Sequence, residues 1–312
     1  MDFLSFGLTE ISLAFTIFAM NKQLPPYGGQ AVIEGVMMRG AQSVAIAMRA
    51  PTDEIVVHTE KLTGIYKSQI GKIPFLRGLV VLWDALGLGM RALTISANTQ
   101  TGEEEKLEGP QLYITLGIAL VLGIGLFFLL PAAIGQFSER WFSISAWWGN
   151  LLEGVMRLGL LVFYIWAIGR TPDIQRVFAY HGAEHKTINT FEAGEEVTLE
   201  NALKFPLEHP RCGTTFLVTL VLISVILFSL LGPLPMGLRL LSRILLLPVV
   251  AMISYEYIRW TANHMDSHLV QILAKPGLAL QRLTTREPTP EMLEVSIAAF
   301  NAMRTQEGQF TL

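Results

Sequence analysis

Long apolar runs alternate with polar stretches along the second half of the chain. Residues 111–134 and 214–236 contain no charged side chain. A run of about 18 or more apolar residues is long enough to cross the hydrocarbon core of a bilayer as a helix. We therefore predict four membrane-spanning helices, at 111–134, 147–169, 214–231 and 237–258.

The first third of the chain has a different pattern. Residues 43–49 and 54–60 have strand composition and are joined by Ala-Pro-Thr-Asp, which predicts a hairpin, whereas Gly-Gly-Gln at 28–30 indicates a turn. Residues 75–98 have apolar positions at helical spacing, but Arg77, Asp84 and Arg91 favour an amphipathic helix at the membrane surface over a span. These patterns predict a small α+β domain.

The N-terminal residues 3–20 are apolar but lack the cationic start and the small-residue cleavage site of a signal peptide. Glu10 would cost about 2.5 kcal/mol or more at the bilayer centre, so we predict an interfacial helix, with a span as the alternative. The predicted organisation is this helix (1–22), the α+β domain (23–110), a first transmembrane hairpin (111–169), a polar connection (170–213), a second hairpin (214–258) and a tail (259–312).

The distribution of basic residues between the loops predicts which side of the membrane each loop faces. The loop 135–146 carries one basic residue, whereas the connection 170–213 carries five. Basic residues are enriched in cytoplasmic loops, so we expect the α+β domain, the connection and the tail to face the cytoplasm. Only 16% of the residues are charged and the net charge is −3, against about 25% charged residues in soluble domains. This composition favours the lipid bilayer as a partner and excludes nucleic acid.

The connection contains the first half of a candidate metal site, His181-Gly-Ala-Glu184-His185. This segment fits the pattern H-x-x-E-H. On a helix, residues four apart project from one face, so both imidazoles can reach one Zn²⁺ at about 2.0–2.1 Å while the glutamate faces a water. Two histidines at this spacing are also typical of an ordinary helix face.

The second half is His209-Pro-Arg-Cys212, which contains the single cysteine of the chain. One cysteine cannot form an intramolecular disulfide, which fits a reducing compartment. Together the two halves predict a divalent metal ion, zinc, bound by His181, His185, His209 and Cys212. Three ligands would leave a position for a water that Glu184 deprotonates, which is a catalytic site. Four ligands would close the site and make it structural, with Glu184 or Glu192 orienting an imidazole.

Other charged residues have two interpretations each. Arg211 can offset developing negative charge at the site or pair with an acidic neighbour. Glu34, Arg39 and Arg77 can contact a substrate anion or join domains.

Two further groups lie in or beside the predicted helices. We hypothesise that Glu153 pairs with Arg157 and with Arg239 or Arg243, as structural charges or as a transport path. His264 and His268 are four apart, either as a second metal site or as a solvated helix face.

Four motifs carry a resemblance to a known family, namely YHGAEHKTINTFEAGEE, HPRCGTTF, PPYGGQAVIEGVMMRG and PFLRG. With these, the chain from about residue 25 to 300 resembles the YqhQ-like family of bacterial membrane proteins, which is of unknown function and is described as predicted metal-dependent enzymes. The family's histidine and cysteine motifs fall on His181, Glu184, His185, His209 and Cys212. The first 22 residues do not match the family pattern.

The expected architecture is a membrane α-helical bundle of four spanning helices with a small cytoplasmic α+β domain, in a bacterial inner membrane. The expected function is zinc-dependent hydrolysis of a lipid or peptide at the cytoplasmic face. A non-enzymatic membrane scaffold with a structural zinc site, and a transporter, are the alternatives.

Overall fold

A computed structural model describes residues 27–62, 73–101 and 110–308, with the side chains of 110–113 excepted. The predicted helix at 3–20 and most of the charged segment 101–110 lie outside the described residues. The predicted domain boundaries stay predictions.

A four-stranded antiparallel sheet forms from the N-terminal described residues, in the order β1-β2-β3-β4. The predicted hairpin is confirmed, with its second strand one residue later than expected. The interpretation of Gly-Gly-Gln as a turn is wrong, because these residues begin β1 and pair with β2. The strands are β1 Gly28–Val32, β2 Gly35–Arg39, β3 Ser43–Arg49 and β4 Ile55–Lys61.

Helices make up most of the remaining described chain. A π-helical stretch, Gly125–Leu129, joins the second helix to the third. The helices are α1 Leu76–Thr101, α2 Pro110–Ile124, α3 Leu130–Phe142, α4 Ala146–Ile168, α5 Pro172–Glu192, α6 Leu199–Ala202, α7 Gly213–Ser229, α8 Met236–Leu245, α9 Leu247–Asn263, α10 His268–Thr284 and α11 Pro290–Gln306.

Three helical stretches are long and apolar enough to cross a membrane, namely the continuous 114–142, α4 and also α1, for which the sequence predicts a surface helix instead. The predicted span at 237–258 is instead two helices, α8 and α9, bent by 46° at their junction. Pro248 near the start of α9 accounts for the break, because proline removes a backbone donor and clashes with the preceding turn. The bent pair would make a fourth span. The predicted span at 214–231 is α7, an apolar helix of 17 residues that is shorter than the candidate spans.

The sheet packs on both faces, since alternate side chains of a strand point in opposite directions. Met37, Ile46 and Met48 pack with Leu88 and Ala92 of α1. Residues of the other face pack with α5 and α11, in a core that includes Val36, Met38, Ala45, Ala47, Tyr180, Leu293 and Phe300. The sheet is therefore enclosed between α1 on one side and α5 with α11 on the other.

Glu153 of α4 is the centre of a buried charged cluster. Its Oε1 accepts hydrogen bonds from Arg157 at 2.7 Å and from Arg243 at 2.9 Å. Its Oε2 accepts from Arg243 at 2.7 Å and from Arg239 at 3.3 Å. The hypothesis that Glu153 pairs with Arg157 and one arginine of the last span is confirmed, and both of those arginines take part.

Helix α5 positions the candidate site. Pro172 occupies its first turn, where the missing N–H costs no helical hydrogen bond. Beyond Gly182 every residue to the end of the helix is buried, including Glu184, Lys186 and Glu192. A helix that buries this many charged and polar groups needs partners for them.

Candidate metal centre

Helix α5 presents the first half of the centre. His181 and His185 are one helical turn apart, and their ring centroids lie 4.4 Å from each other. His185 is fully buried and His181 is partly exposed, with 16% of its side chain accessible. The predicted placement of His-Gly-Ala-Glu-His on a helix is confirmed.

Cys212 supplies the second half from the N-cap of α7. Its Sγ lies 3.2 Å from His181 Nε2 and accepts a hydrogen bond from the Thr214 N–H at 3.4 Å. One donor atom from each of His181, His185 and Cys212 lies within 4.8 Å of the others. Bonds of about 2.0–2.3 Å to a tetrahedral zinc ion place its ligand atoms roughly 3.3–3.8 Å apart, so a small contraction would suffice.

The second ring nitrogens determine which lone pairs face the centre. His181 Nδ1 lies 2.9 Å from the Thr284 carbonyl oxygen, and His185 Nδ1 contacts the Leu207 carbonyl oxygen. A carbonyl oxygen only accepts, so each Nδ1 carries the proton and each Nε2 holds a lone pair. The buried Nε2 of His185 has no hydrogen-bond partner of normal geometry among the described residues. Two imidazole lone pairs and one sulfur thus converge, which fits a cation.

Burial and the neighbouring charges favour the forms that bind a metal. Burial lowers the pKa of His185 and of His209, which favours the neutral imidazoles. Burial raises the pKa of Cys212, but its interaction with His185 outweighs this and leaves the pKa below the ordinary value. A neutral imidazole and a thiolate are the species that coordinate zinc.

Glu184 lies beside the converging donors. Its Oε2 is 3.5 Å from His185 Nε2 and 4.0 Å from His181 Nε2. Burial raises the pKa of Glu184, partly offset by the two histidines His181 and His209 and by the N–H of Gly29. A Cβ atom at Gly29 would lie 2.6 Å from Glu184 Cγ, so β1 reaches the carboxylate only because this residue is glycine.

His209 is buried near the centre but makes a different contact. Its Nε2 lies 3.2 Å from Glu192 Oε2, and its backbone N–H donates to Gln281 Oε1 at 2.9 Å. Its ring centroid is 5.7 Å from that of His185. Three of the four predicted ligands therefore converge, while the fourth is held by Glu192, the residue expected to orient an imidazole.

The remaining candidate residues form ion pairs. Arg211 contacts Glu192, and burial lowers its pKa to about 10. The other three candidates each form an ion pair with a residue of another structural element. Glu34 pairs with Arg176 at 2.5 Å, Arg39 with Asp84 at 2.7 Å, and Arg77 with Glu256. The geometry favours the contact between elements over the substrate anion for Glu34, Arg39 and Arg77.

His264 and His268 are both exposed. His264 Nδ1 lies 2.8 Å from the Trp260 carbonyl oxygen. Within residues 27–62, 73–101 and 110–308, His181, His185 and Cys212 are the one set of three or more His, Cys, Asp or Glu side chains whose ligand atoms converge. The solvated helix face is the interpretation that fits this pair.

Several contributors to the centre carry little signal in the sequence. The carbonyl groups of Leu207 and Thr284 act through the backbone, which leaves no trace in side-chain type. Gln281 also acts from α10 through the His209 backbone. Gly29 alone has a sequence signal, since paired glycines in a strand indicate a close backbone approach.

Comparison with known proteins gives a family and no activity. A family described as "Protein of unknown function (DUF1385)" matches residues 73–306. The chain is 35% identical over 308 residues to a Bacillus subtilis (strain 168) protein named "Uncharacterized protein YqhQ", covering 92% of this chain and 95% of that one. No solved structure matches the chain.

Proposed function

We propose that this chain, which belongs to the DUF1385 family of proteins of unknown function, is a multi-pass membrane protein with a zinc-dependent hydrolytic centre at the cytoplasmic membrane face. The observation that carries the proposal is the convergence of His181 Nε2, His185 Nε2 and Cys212 Sγ. The Nδ1 contacts of the two histidines leave their Nε2 lone pairs facing Cys212.

The donor set favours zinc over the hard cations. A thiolate is a soft ligand and imidazole is a borderline one, whereas magnesium and calcium prefer oxygen. The Nδ1 contacts to Thr284 and Leu207 also fix the ring orientation of both histidines. Such contacts are the usual support of metal-binding histidines.

Three converging donors support the open, catalytic form of the site. A zinc ion bound by three protein groups supplies an activated water near neutral pH. Glu184 holds a carboxylate oxygen 3.5 Å from His185 Nε2, where it can accept a proton. Its burial excludes bulk water, which strengthens the electrostatic interactions of the centre.

The membrane placement rests on the apolar helices and on the charge distribution. Three helical stretches, and a bent pair as a fourth, have the length and composition of spans. Exposed tryptophan side chains lie near helix ends, at Trp147, Trp148, Trp166 and Trp260, as in proteins with interfacial aromatic belts. A substrate in or beside the bilayer, a lipid or a peptide, fits a centre beside the cytoplasmic ends of α4 and α7.

A structural metal site is the second candidate. His209 lies beside His185, and rotation of its side chain away from Glu192 would supply a fourth ligand and close the tetrahedron. In that case Glu184 supports an imidazole and the chain is a scaffold.

Metal analysis of the purified full-length protein tests the metal binding that both candidates require. We expect stoichiometric zinc in the wild type and its loss in Cys212→Ser. A wild-type protein without stoichiometric metal after zinc loading would refute both candidates.

Glu184→Gln separates the two candidates. Its function is read as growth complementation in a strain that lacks the corresponding gene. Unchanged zinc content with lost complementation supports catalysis, and unchanged complementation supports the scaffold. Glu195→Gln, on the exposed end of the same connection, is the control and should behave as wild type.

A further inference from the structure

A cavity of about 460 Å³ lies where α4 ends and α5 begins. Its lining includes Trp166 of α4, Arg170 just after α4 and Gln175 of α5. Arg282 at the end of α10 and Arg286 just after it complete the charged part of the lining. Three arginines and no acidic residue occur among its nine lining residues.

The arginines are held by their neighbours. The Arg170 guanidinium lies over the Trp166 ring at 4.2 Å from the ring centroid. Arg286 Nη2 donates to the Gly169 carbonyl oxygen at 3.0 Å, and Arg282 Nε donates to Glu208 Oε1 at 3.1 Å. Glu208 is buried and offsets the charge of Arg282, whereas the contacts given above for Arg170 and Arg286 are with uncharged groups.

This chemistry matches a phosphate group. Guanidinium groups present planar paired donors that fit phosphate oxygens, and they are weakly hydrated compared with ammonium groups. The volume exceeds that of a bare phosphate and lies in the usual range of about 300–1,000 Å³ for small-molecule sites. A larger group that carries a phosphate, such as a glycerophosphate headgroup, has the right size.

The position of the cavity indicates a lipid as the source of that group. Trp166 is 45% exposed, and Phe163 and Tyr164 beside it are 61% and 46% exposed. Exposed aromatic residues at the end of an apolar helix mark the level of the headgroups. Arginines at this level face lipid phosphates rather than the bulk solution.

We propose that this cavity binds the phosphate-bearing headgroup of an anionic membrane lipid, held by Arg170, Arg282 and Arg286. The proposal rests on the proposed function for its membrane placement and requires no metal. Gln175 of the cavity wall and His181 are six residues apart on α5, which is about 9 Å along a helix axis. Thr285 of the wall follows Thr284, whose carbonyl holds His181. An anionic phospholipid is thus the ligand class placed nearest the metal centre.

The test measures binding of dioctanoyl phosphatidylglycerol to the full-length protein in a neutral detergent. Dioctanoyl phosphatidylcholine and inorganic phosphate are the comparison ligands. We expect Arg170→Gln to weaken phosphatidylglycerol binding about fivefold, the effect of one basic residue at an anionic surface. Arg259→Gln is the matched control, because Arg259 is exposed beside Trp260 at the end of α9, and it should leave the affinity unchanged.

Three results would overturn the proposal. The first is equal affinity for phosphatidylglycerol and phosphatidylcholine, and the second is equal weakening by Arg170→Gln and Arg259→Gln. The third is displacement of the lipid by an equal concentration of inorganic phosphate, which would make this a site for soluble anions. Thermal unfolding must match between the variants, and Arg170→Lys, which keeps the charge, should retain part of the affinity.

Chelation separates this proposal from the proposed function. A protein treated with EDTA should keep its phosphatidylglycerol affinity. Failure of lipid binding in protein with stoichiometric zinc refutes the headgroup site alone, whereas lipid binding in protein that never takes up zinc refutes the metal centre alone.

Discussion

Among the described residues, the buried clusters around Glu153 and around Cys212 each contain a carboxylate and nitrogen-bearing side chains, but their donor and acceptor atoms are arranged differently. Around Glu153 the guanidinium groups of Arg157, Arg239 and Arg243 donate hydrogen bonds to carboxylate, amide and carbonyl oxygens. Donors face acceptors there, so opposite charges compensate each other inside the protein.

Around Cys212 the lone pairs of two imidazoles face a sulfur atom and a nearby carboxylate. Two imidazole lone pairs that converge on a sulfur atom are suited to bind a shared cation. The type of residue is thus a weaker guide to function than the direction of the donors. The cluster around Glu153 has the contacts of a structural ion-pair network rather than of a transport path. The cluster around Cys212 has the geometry of a metal-binding site.

The largest expected effect is on the Glu153 cluster. Glu153→Gln removes the carboxylate that all three arginines contact and leaves their charges buried, so we expect a loss of about 3–5 kcal/mol in the free energy of unfolding. Thermal unfolding of the purified protein measures it. Glu139→Gln is the control, because Glu139 pairs with Arg239 at the edge of the cluster. A smaller loss for Glu153→Gln than for Glu139→Gln would contradict this picture.

If the proposed zinc site is correct, substitutions of converging residues should weaken zinc binding more than substitutions of their neighbours. Cys212→Ser removes a converging donor and should abolish stoichiometric zinc. His209→Ala removes a residue held by Glu192, so we expect about 10–100-fold weaker zinc binding, the usual effect of a supporting residue. Competition with a zinc chelator measures both affinities. If His209→Ala abolishes binding as Cys212→Ser does, His209 is a ligand and the site is closed.

The contact between β1 and Glu184 gives a matched pair of substitutions. Gly29→Ala places a methyl group 2.6 Å from Glu184 Cγ, whereas a Cβ at Gly28 meets nothing within 4 Å. Overpacking of this kind costs about 1–3 kcal/mol. We expect Gly29→Ala to lower the unfolding temperature and to impair complementation, and Gly28→Ala to do neither. Equal effects would show that the strand, rather than the carboxylate, is responsible.

The smallest effect concerns the pair between Glu34 and Arg176. Arg176 holds the pKa of Glu34 below its ordinary value of 4.5, against the opposing effect of burial. The pair therefore contributes its full stability above pH 4.5, and this contribution is lost as the pH falls through the lower pKa of the folded state. Arg176 is half exposed, so the contribution is about 0.5–1 kcal/mol.

Unfolding curves recorded from neutral to acid pH measure that contribution. Glu34→Gln should remove this part of the acid sensitivity. Asp53→Asn, which breaks an exposed pair with Arg49, should leave it in place. An unchanged pH profile for Glu34→Gln would show that the pair does not stabilise the fold.

Local patterns explain which features are predictable from the sequence. The β3–β4 hairpin and the helix with His181 and His185 follow from periodicity and turn residues within a few positions. The chemistry of Cys212 also marks a half-site. The break between α8 and α9 has a local signal in Pro248 that an emphasis on apolar length overlooks.

The remaining features depend on contacts between distant parts of the chain. Whether His209 faces Cys212 or Glu192 depends on the turn 209–212 and on Gln281, which bonds both the N–H and the carbonyl of His209. The approach of Gly29 to Glu184 likewise depends on how the sheet docks against α5. No periodicity records either contact.

The bond from His181 Nδ1 to the Thr284 carbonyl joins the candidate metal centre to the end of α10, directly before the segment that leads into α11. Gly182 lies against the backbone of Arg286 in the same segment, where a side chain would not fit. Binding equilibria are linked, so an ion that binds His181 more strongly when this segment is docked also stabilises the docked segment. Occupancy of the proposed metal site should therefore slow proteolytic cleavage between α10 and α11.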